Sequence, residues 1–499
     1  MPIALRSHRL PAPAPQLPPS PISKPRRPRR IGIVDRVLDR AVHPAVSRAF
    51  AKRTTRERFA HLSLRSSVDL FKAADAPPGL DLMLTQRHRI IELCAAEGSI
   101  FALTENGVCA AYCMHTGRRL CILNKDHTEV IRSLFHSKIS ASLITVSVYA
   151  ADAYACLRCR ESQIAHLKLG STEQARPLFM TESLRWPGFV EFDDVNGKVL
   201  TFSSDVNVYK VWSLSDPTTV LYSFSDQTIP EGIFEIKISP GIMLIVCNKQ
   251  DDTSIPLRLI SIETGETLRT LSQPIRRGKK IDIIEQFNEK LMLKQEGSPL
   301  LIVDMLTNKV VKVRDTFFRT PSAFIFLYEN QSFLAFKDSS VSVWNFAGEL
   351  MRTFDDHRLC FPIPDIDHTS VIYITHAQDI IISLCEDNAS STDNASSTDE
   401  TDRGGGEGST SYGATGSDGL LPLATPFMNQ AAALLSAPGS SEPASVSIHV
   451  SNVHTGKLLA RIDPRALNDR ANITALCYSE ETGEIITGNE QGRVQVWSN

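Results

Sequence analysis

Long apolar runs are missing from this sequence, and so are the usual signs of secretion. No stretch approaches the ~18 consecutive apolar residues that span a bilayer. The N-terminus has no apolar core of the kind that a secretory signal needs. Ten cysteines in 499 residues are too few for a disulfide scaffold, which favours a reducing compartment. We therefore expect neither a membrane-spanning protein nor a disulfide-rich secreted one.

Strong net charge is also missing. The formal charge at pH 7 is -3, so the whole chain has no electrostatic preference for nucleic acid or for a membrane surface. Hydrophobic residues make up 42% and charged residues 22%, which is ordinary for a globular chain. A chain of this length can bury a sizeable core.

Linear catalytic and ligand-binding motifs are absent as well. The sequence has no serine nucleophile elbow, no phosphate-binding Gly-Lys-Ser/Thr loop and no His-Glu-x-x-His helix. Cys156 and Cys159 form a single Cys-x-x-Cys pair, whereas a structural zinc site needs four ligands. We interpret these cysteines, and also Cys109 and Cys113, as buried thiols. The sequence thus predicts no catalytic residue, cofactor or metal, and favours a protein that is not an enzyme.

Composition divides the chain into four regions. Residues 1–30 are Pro-rich and basic and are predicted to be disordered. Residues 31–78 are predicted to be a helical lead-in, because apolar residues from Val34 to Val46 follow a helical spacing that Pro44 interrupts. Residues 79–499 alternate short β-rich runs with turns. Within them, residues 386–444 are first acidic and then rich in Gly and Ser, which predicts a disordered insertion.

The β-rich region repeats a turn followed by a strand. The segments HTGRRLCIL (115–123), ETGETLRTL (263–271), FAGELMRTF (346–354) and HTGKLLARI (454–462) each place glycine in a tight turn before an alternating strand. The turn glycines are Gly117, Gly265 (before Glu266), Gly348 and Gly456, and Gly492 precedes the last strand. The first strands of successive units mostly lie 40 to 50 residues apart. A period of about 40–45 residues is typical of a four-stranded propeller blade.

These units resemble the WD40-repeat family. DHTEV (126–130) and DHTSV (367–371) resemble its Gly-His-Thr-x-x-Val element, and ITALCYSEETGEIITGNEQGRVQVW (473–497) resembles most of one repeat. The corresponding repeat positions are His127, His368, Asp338, Trp212, Trp344 and Trp497. The resemblance implies an all-β propeller of eight four-stranded blades, or alternatively seven. Its uncharacterised plant-type WD40-like members are the most similar in the looseness of their repeats.

The resemblance also implies how the ring closes and what its blades lack. Family rings borrow a missing outer strand from the N-terminal side, for which Leu80–Leu84 is the candidate, with His88 as the link to the next blade. The family's buried Asp–His–Ser/Thr–Trp network is reduced here, since Val206 and Gln491 occupy the Asp positions before Trp212 and Trp497. The blades are therefore expected to rely more on apolar packing.

Two segments outside the repeats carry candidate regulatory residues. The insertion offers hydroxyl groups beside acidic residues, and a phosphate there would add negative charge. The candidate phosphorylation sites are Ser391, Thr392, Ser397 and Thr398. The N-terminal cluster KPRRPRR contains Lys24, Arg26, Arg27, Arg29 and Arg30. It is interpreted as a nuclear-import signal, a weak nucleic-acid contact, part of an organellar transit segment, or a solvated basic tail.

A propeller without catalytic groups presents broad surfaces for binding. The first hypothesis is a non-enzymatic scaffold that binds other proteins, with no membrane or small-molecule substrate, in the nucleus or cytoplasm. One alternative is a substrate receptor of a cullin-type ubiquitin ligase, although neither a Trp-Asp-x-Arg motif nor an F-box is found. A second alternative is a nuclear RNA-processing scaffold. A plastid or mitochondrial location remains the alternative if the N-terminus is a transit segment.

Overall fold

The fold follows from short runs of β-branched and aromatic residues separated by tight turns, which can form only short strands. The computed structural model describes residues 58–59, 61–72, 79–180, 182–185, 188–193, 196–248, 253–314, 318–321, 323–337, 340–354, 372–386, 446–463 and 472–499. All of them belong to one compact unit, residues 54–499. In these ranges the chain forms eight antiparallel four-stranded sheets, which are the blades of a ring.

Each blade uses four strands that pair in order, and the strands are numbered here along the chain. The strand β1 (Ser63–Asp69) comes first and belongs to the last blade. Blade 1 contains β2 (Ile90–Ala96), β3 (Ser99–Thr104), β4 (Cys109–Cys113) and β5 (Arg119–Ile122). Blade 2 contains β6 (Glu129–Ser137), β7 (Ser142–Tyr149), β8 (Arg158–Gln163) and β9 (Arg176–Leu178). Blade 3 contains β10 (Phe189–Asp193), β11 (Lys198–Ser203), β12 (Val208–Ser213) and β13 (Val220–Ser225). Blade 4 contains β14 (Ile233–Ser239), β15 (Ile242–Cys247), β16 (Ser254–Ser261) and β17 (Thr267–Pro274).

The second half of the ring repeats the same order. Blade 5 contains β18 (Ile281–Phe287), β19 (Lys290–Gln295), β20 (Leu300–Asp304) and β21 (Val310–Val313). Blade 6 contains β22 (Ala323–Leu327), β23 (Ser332–Lys337), β24 (Ser340–Asn345) and β25 (Leu350–Thr353). Blade 7 contains β26 (Ile372–Ile374), β27 (Ile380–Glu386), β28 (Val446–Asn452) and β29 (Leu458–Ile462). Blade 8 contains β30 (Ile473–Ser479), β31 (Glu484–Asn489), β32 (Arg493–Ser498) and β1. Eight blades, the preferred sequence prediction, are confirmed.

Helical structure is sparse in the described ranges. Arg58 and Phe59, in the predicted helical lead-in, are helical. A short α-helix, α1 (Ile164–Lys168), follows β8, and 3-10 turns cover Asp81–Leu84 and Ala150–Asp152. First strands of neighbouring blades contact each other, for example β2 with β30 and β14 with β18, so they lie innermost around the channel. The cores lie between adjacent blades: one cluster joins Phe287 and Met292 of blade 5 to Phe333 and Trp344 of blade 6.

The ring closes through β1, not through the predicted strand at Leu80–Leu84. The strand β1 runs antiparallel to β32 and pairs Leu64 with Trp497 and Val68 with Val494. Residues 81–84 form a 3-10 turn instead, with Leu84 buried. The prediction of that closing strand was therefore wrong, and so was a purely helical interpretation of residues 63–69 within the lead-in. The strand β1 was missed because Leu64 and Val68 are its only apolar residues.

The predicted insertion lies inside blade 7, between its second and third strands. Glu386 at the end of β27 pairs with Val446 at the start of β28, so the chain leaves and re-enters the blade at one paired position. The intervening residues are outside the described ranges. So are the helical spacing at 34–46, Asp338 and His368, the candidate phosphorylation sites and the basic cluster at 24–30.

Candidate functional site

Two kinds of connection meet at the same end of every blade. The link from a fourth strand to the next first strand and the loop from a second to a third strand share one end, because neighbouring strands are antiparallel. We call this end the linker face, and the opposite end the turn face. The insertion of blade 7 leaves from the linker face.

Four large apolar side chains are exposed on the linker face, and we call them the linker-face patch. Among the residues that the structure describes, they are the only exposed large hydrophobic side chains at this end of the ring. They are Tyr154 (50% exposed), Met180 (78%), Val206 (61%) and Phe234 (68%). All four lie on blades 2 to 4 or on the links between these blades. Such a local concentration of exposed apolar residues marks an interaction site more often than scattered single residues do.

A strained loop presents Tyr154. Ala153 and Tyr154 are consecutive residues in the left-handed region, with φ of 53° and 61°. A non-glycine residue there costs roughly 1–2 kcal/mol. Backbone hydrogen bonds hold the loop, from the Tyr154 amide to the Tyr149 carbonyl (2.9 Å) and from the Ala153 amide to the Ala150 carbonyl (3.0 Å). The loop therefore holds an aromatic ring in solvent at a cost in backbone energy, which is a pattern found at binding sites.

An anchored turn presents Met180. The preceding residue, Phe179, has a φ of 54° and is buried against Trp212, with ring centroids 5.1 Å apart. Two residues further on, the buried carboxylate of Glu182 pairs with Lys210 of β12 at 2.6 Å. Because the chain is held on both sides, Met180 points away from the core.

Special backbone geometry also presents the other two residues. Val206 precedes Asn207, which has a φ of 52° in the turn between β11 and β12. Phe234 is the extra residue of a β-bulge, since Ile233 pairs with Cys247 and Glu235 pairs with Val246. A bulge turns its extra side chain away from the regular alternation of the strand. Phe234 is therefore exposed although the next apolar residue of its strand, Ile236, is buried.

Hydrogen bonds connect these four segments into one surface. The Leu157 amide, beside the Tyr154 loop, donates to the Leu184 carbonyl in the link that carries Met180 (2.9 Å). The Ser204 hydroxyl, beside Val206, donates to the Arg185 carbonyl in the same link (3.0 Å). Asp226 accepts from the Asn207 amide (3.2 Å) and from the Ile233 backbone beside Phe234 (3.1 Å). The four segments that carry the patch are thus linked to one another across three blades.

The same bulge recurs on the innermost strands of other blades. Register shifts place an extra residue at Ile91, Arg132, Asp282 and Thr474, each in the half of its first strand that is nearer the linker face. Arg132 and Asp282 are exposed. Thr474 is buried and donates to the Ile90 carbonyl at 2.6 Å, which ties blade 8 to blade 1. The mouth of the channel therefore presents apolar, cationic and anionic side chains next to the patch.

The channel side of the ring contains two acidic groups with raised pKa values. Burial raises the pKa of Glu92 on β2 to about 8, although the Leu134 backbone N–H donates to its carboxylate. Burial and the neighbouring Asp193 raise the pKa of Glu191 on β10 to about 7, against the attraction of Lys237. The Lys237 ammonium pairs with Glu235 (2.6 Å) and Glu285 (3.1 Å), which links the first strands of blades 4 and 5.

These two glutamates should make the ring less stable in mild alkali. Their folded pKa values lie above the ordinary 4.5, so the folded chain holds protons that the unfolded chain has released. Their stabilising contribution is complete below about pH 4.5 and is lost as the pH rises to about 7–8. We expect the double variant Glu92→Gln with Glu191→Gln to remove about 3–4 kcal/mol of the stability that the wild type loses between about pH 6 and 8.5. Thermal melting of the wild type and of the double variant at these two pH values measures the difference.

A matched exposed site provides the control for this prediction. Glu266 is exposed in a turn, so Glu266→Gln should leave the pH dependence of the melting temperature unchanged. An equal fall in melting temperature for the wild type and the double variant would contradict the assignment to Glu92 and Glu191.

The tryptophans keep part of the hydrogen-bonded network that the resemblance implies. The indole N–H of Trp497 donates to Thr487, and that of Trp212 donates to Thr201, each at 2.9 Å on the adjacent strand. Trp344 donates to Ser342 of its own strand instead (2.9 Å). All three indole rings are buried.

The blade link at His127 is held by a residue that sequence reasoning missed. His127 lies in the link between β5 and β6, as predicted, but it is exposed. Asn124 is buried and donates to the carbonyls of Gly107 (2.9 Å) and Glu129 (3.0 Å). It also accepts from the Cys109 backbone N–H (2.9 Å). The sequence signal was an amide three residues before the histidine, which the repeat pattern does not include.

The repeat glycines all adopt the left-handed conformation that their turns require. Their φ values lie between 67° and 80°, at Gly117, Gly265, Gly348, Gly456 and Gly492. The first four lie between third and fourth strands on the turn face, and Gly492 lies between β31 and β32. These residues shape the ring and are not part of the linker-face patch.

The cysteines are thiols in the structure. Cys109 and Cys159 are buried, while Cys113 and Cys156 are partly buried. Burial raises the pKa of the Cys159 thiol to about 12. Among the residues that the structure describes, no three His, Cys, Asp or Glu side chains come together as metal ligands would. In those same ranges, no helix has the length and apolar character to cross a membrane.

Comparison with known protein families identifies the family of this chain. A family described as a domain of unknown function, DUF7899, matches residues 47–402, which is more than half of the sequence. The chain belongs to the DUF7899 family. The DUF7899 match includes β1 and blades 1 to 6, and it ends inside the insertion of blade 7. No curated protein matches the chain.

Two solved structures resemble this DUF7899 protein remotely. One is the computationally designed Ika8 protein, with 14% identity, a TM-score of 0.45, and coverage of 83% of this chain and 97% of that chain. The other is BamB from Moraxella catarrhalis, with 12% identity, a TM-score of 0.40, and coverage of 88% and 98%.

Proposed function

We propose that this DUF7899 protein is a non-enzymatic scaffold that binds a partner protein on its linker face. The observation that carries the proposal is the exposure of four large apolar side chains, Tyr154, Met180, Val206 and Phe234, on linked segments of the linker face. Aromatic residues, Met and Arg are enriched in protein interfaces, and Arg132 lies exposed on the same blades. The left-handed and bulged backbone conformations at or beside these residues are already formed, so binding should require little ordering of the backbone.

The finer family relationship is part of the same proposal. We infer that the DUF7899 ring is a divergent WD40-repeat propeller. Glycine turns before the fourth strands and two Trp–Thr hydrogen bonds support this inference. A WD40 ring commonly serves as a protein-interaction platform, which agrees with the role proposed for the patch.

A matched pair of double variants tests the binding face. The variant Met180→Ser with Phe234→Ser removes two exposed apolar side chains from the linker-face patch. The control, Ile139→Ser with Leu169→Ser, removes two exposed apolar side chains at the turn end of blade 2. Partners are isolated from native extract with the wild-type protein, identified by mass spectrometry, purified and titrated against each variant.

We expect the linker-face variant to weaken binding of the purified partner by about tenfold or more, and the control to bind like the wild type. Since all four positions are exposed, neither variant should lower the melting temperature appreciably. Equal binding by both variants would remove the linker face as the docking site. Recovery of cullin-type ligase subunits or of RNA would favour the corresponding alternative role.

A further inference from the structure

The outer rim of the ring carries a second surface, distinct from the linker face. Large exposed apolar side chains recur on or beside the fourth strands of blades 3 to 7. Those on the strands are Val220, Leu221, Leu268, Val310, Leu350, Met351 and Leu458, and Leu306 lies in the turn before β21. In the described ranges, the fourth strands of blades 8, 1 and 2 carry none. We call the outer edge of blades 3 to 7 the rim arc.

A repeated irregularity of the strands turns these residues outward. In blades 3, 4, 6 and 7 the pairing of the third and fourth strands skips one residue of the fourth strand. The skipped residues are Leu221, Leu268, Met351 and Leu459. Each extra residue of the bulge is large and apolar, and the first three are exposed. Blade 1 has the equivalent bulge at Leu120, but there the Cys121 thiol contacts the Leu167 carbonyl of α1, and Leu120 is only partly exposed.

Contacts between neighbouring blades make the rim arc continuous. The Tyr222 hydroxyl of β13 donates to the Ile262 carbonyl of blade 4 (3.1 Å). Arg269 of β17 donates to the Met305 carbonyl of blade 5 (2.6 Å). The turn of blade 6 lies so close to β21 that a Cβ on Gly348 would be 2.5 Å from Val313.

The next pair of blades is equally close. A Cβ on Gly456, in the turn of blade 7, would lie 2.6 Å from the Thr353 carbonyl of β25. A side chain at either turn glycine would therefore push neighbouring blades apart. The apolar residues of five blades consequently lie along one connected edge.

Within the fourth strands of the rim arc, all charged side chains are basic. The fourth strands of blades 4 to 7 each contain one basic residue and no acidic residue: Arg269, Lys312, Arg352 and Arg461. The fourth strand of blade 3 contains no charged residue. The turns before the fourth strands contain both signs: Lys309 and Lys457 are basic, and Asp216, Glu263, Glu266 and Glu349 are acidic. Strands and turns together therefore hold six basic and four acidic residues. Apolar side chains along the arc therefore alternate with cations within the strands.

We propose that the rim arc binds an acidic polypeptide segment of a partner protein that carries large apolar side chains. Complementary charge steers and orients such a segment, while its apolar side chains cover the leucines and the methionine. A second copy of the chain would face like charges across a symmetric contact, which disfavours it. A lipid bilayer is flat and the rim of a ring is convex, so a bilayer would reach only a small part of the arc.

Selection of peptides against the intact protein tests the proposal. A library of displayed random peptides, about 16 residues long, is selected on the wild-type protein, with prior depletion on the variant Leu268→Ser with Met351→Ser. The expected survivors combine Asp or Glu with Leu, Phe or Ile. Their affinity, measured by fluorescence anisotropy, should fall about tenfold or more on this variant. Survivors that are neutral or basic, or no survivors that depend on the rim, would overturn the proposal.

Charge-reversal variants separate the electrostatic contribution to peptide binding from the apolar contribution. Lys309 and Lys312 are exposed, so Lys309→Glu with Lys312→Glu should weaken an acidic peptide about tenfold and leave the melting temperature unchanged. A peptide with its acidic residues changed to Lys should prefer this variant. The control is Arg118→Glu, an exposed cation beside the fourth strand of blade 1. An equal loss of affinity for Arg118→Glu would show non-specific attraction and overturn the site.

Two measurements test the two other possible occupants of the rim arc, a second copy of the chain and a lipid membrane. Sedimentation velocity should show a monomer for the wild type and for the variant Leu268→Ser with Met351→Ser. If the wild type is a dimer and the variant is a monomer, the rim arc binds a second copy of the chain and not a partner protein. Vesicles of phosphatidylcholine and phosphatidylserine should not retain the protein, and retention that depends on Leu268 would assign the arc to a membrane instead. Because the rim variants leave the linker-face patch intact, failure of the rim proposal is distinguishable from failure of the proposed function.

Discussion

A chain that begins at residue 71 is expected to lose its folded ring. The deletion removes β1, which supplies the fourth strand of blade 8, and with it Phe59 and Leu70, which are buried. Loss of burial costs about 1.5–3 kcal/mol for each of these two side chains. Without β1, the backbone hydrogen bonds between β1 and β32 are lost as well. The total loss of stability therefore approaches the roughly 5–15 kcal/mol that keeps a domain folded. Exposure of a flat strand edge also favours aggregation.

Size-exclusion chromatography and thermal melting measure this loss. A chain that begins at residue 57 keeps Phe59 and β1 and is the control, and it should elute as the wild type does. A synthetic peptide of residues 58–72, added during refolding of the shortened chain, should restore part of the soluble form. A soluble shortened chain with an unchanged melting temperature would contradict closure through β1.

The variant Trp497→Ala should give the second large effect, about 3–5 kcal/mol lost from the free energy of unfolding. Trp497 is 1% exposed and its side chain belongs to the core between blades 7 and 8. In the strand register, Trp497 of β32 lies opposite Leu64 of β1. Trp497→Phe keeps most of the apolar contacts but leaves the Thr487 hydroxyl without its donor, for which we expect about 1–2 kcal/mol. Urea denaturation, with the shift of the midpoint as the readout, measures both.

A second tryptophan provides the comparison for the hydrogen bond. The Trp344 indole donates to Ser342, whose side chain is only partly buried, so Trp344→Phe should cost less than Trp497→Phe. A double-mutant cycle of Trp497→Phe with Thr487→Val isolates the pair, and we expect a coupling energy of about 0.5–1.5 kcal/mol. If the coupling is zero, the bond contributes nothing and packing alone fixes the tryptophan.

The ring was predictable from the sequence because its repeat is enforced by local physics. A tight turn needs a residue that tolerates positive φ, so glycine follows the third strand in blades 1, 4, 6 and 7 and Asn308 does so in blade 5. The first strand of blade 1 was placed at Ile90 and that of blade 5 at Ile281, where the structure has them. The prediction of eight blades came from counting these first strands along the sequence.

The closing strand was not predictable from apolar pattern alone. An outermost strand is covered on one side only, so β1 needs few apolar residues, and its sequence SLRSSVD contains just Leu64 and Val68. The apolar residues that anchor it, Leu70 and Phe71, come after the strand. The segment from Leu80 to Leu84 is more apolar, but its buried leucines pack from a 3-10 turn.

The linker-face patch was hidden from sequence reasoning for a different reason. Phe234 lies in an apolar run and looks like a core residue, and only a register shift in its strand turns it outward. Val206 occupies a position where the resemblance led us to look for a buried acid, yet the structure exposes it in a turn. Bulges and left-handed residues depend on how strands pair, and pairing is a property of the assembled sheet.

Because β1 and β32 lie far apart in the sequence, closure of the ring must wait until β32 has been synthesised. Ser63 and Ser498 meet across the closed blade, although 435 residues separate them in the chain. At a synthesis rate of roughly 5–20 residues per second, β1 waits about 20–90 s for β32 to leave the ribosome. During that interval the other seven blades can assemble while β1 lacks its partner strand. We therefore expect the nascent chain to be an open arc with an unpaired β1, and closure of the ring requires β1 to find β32.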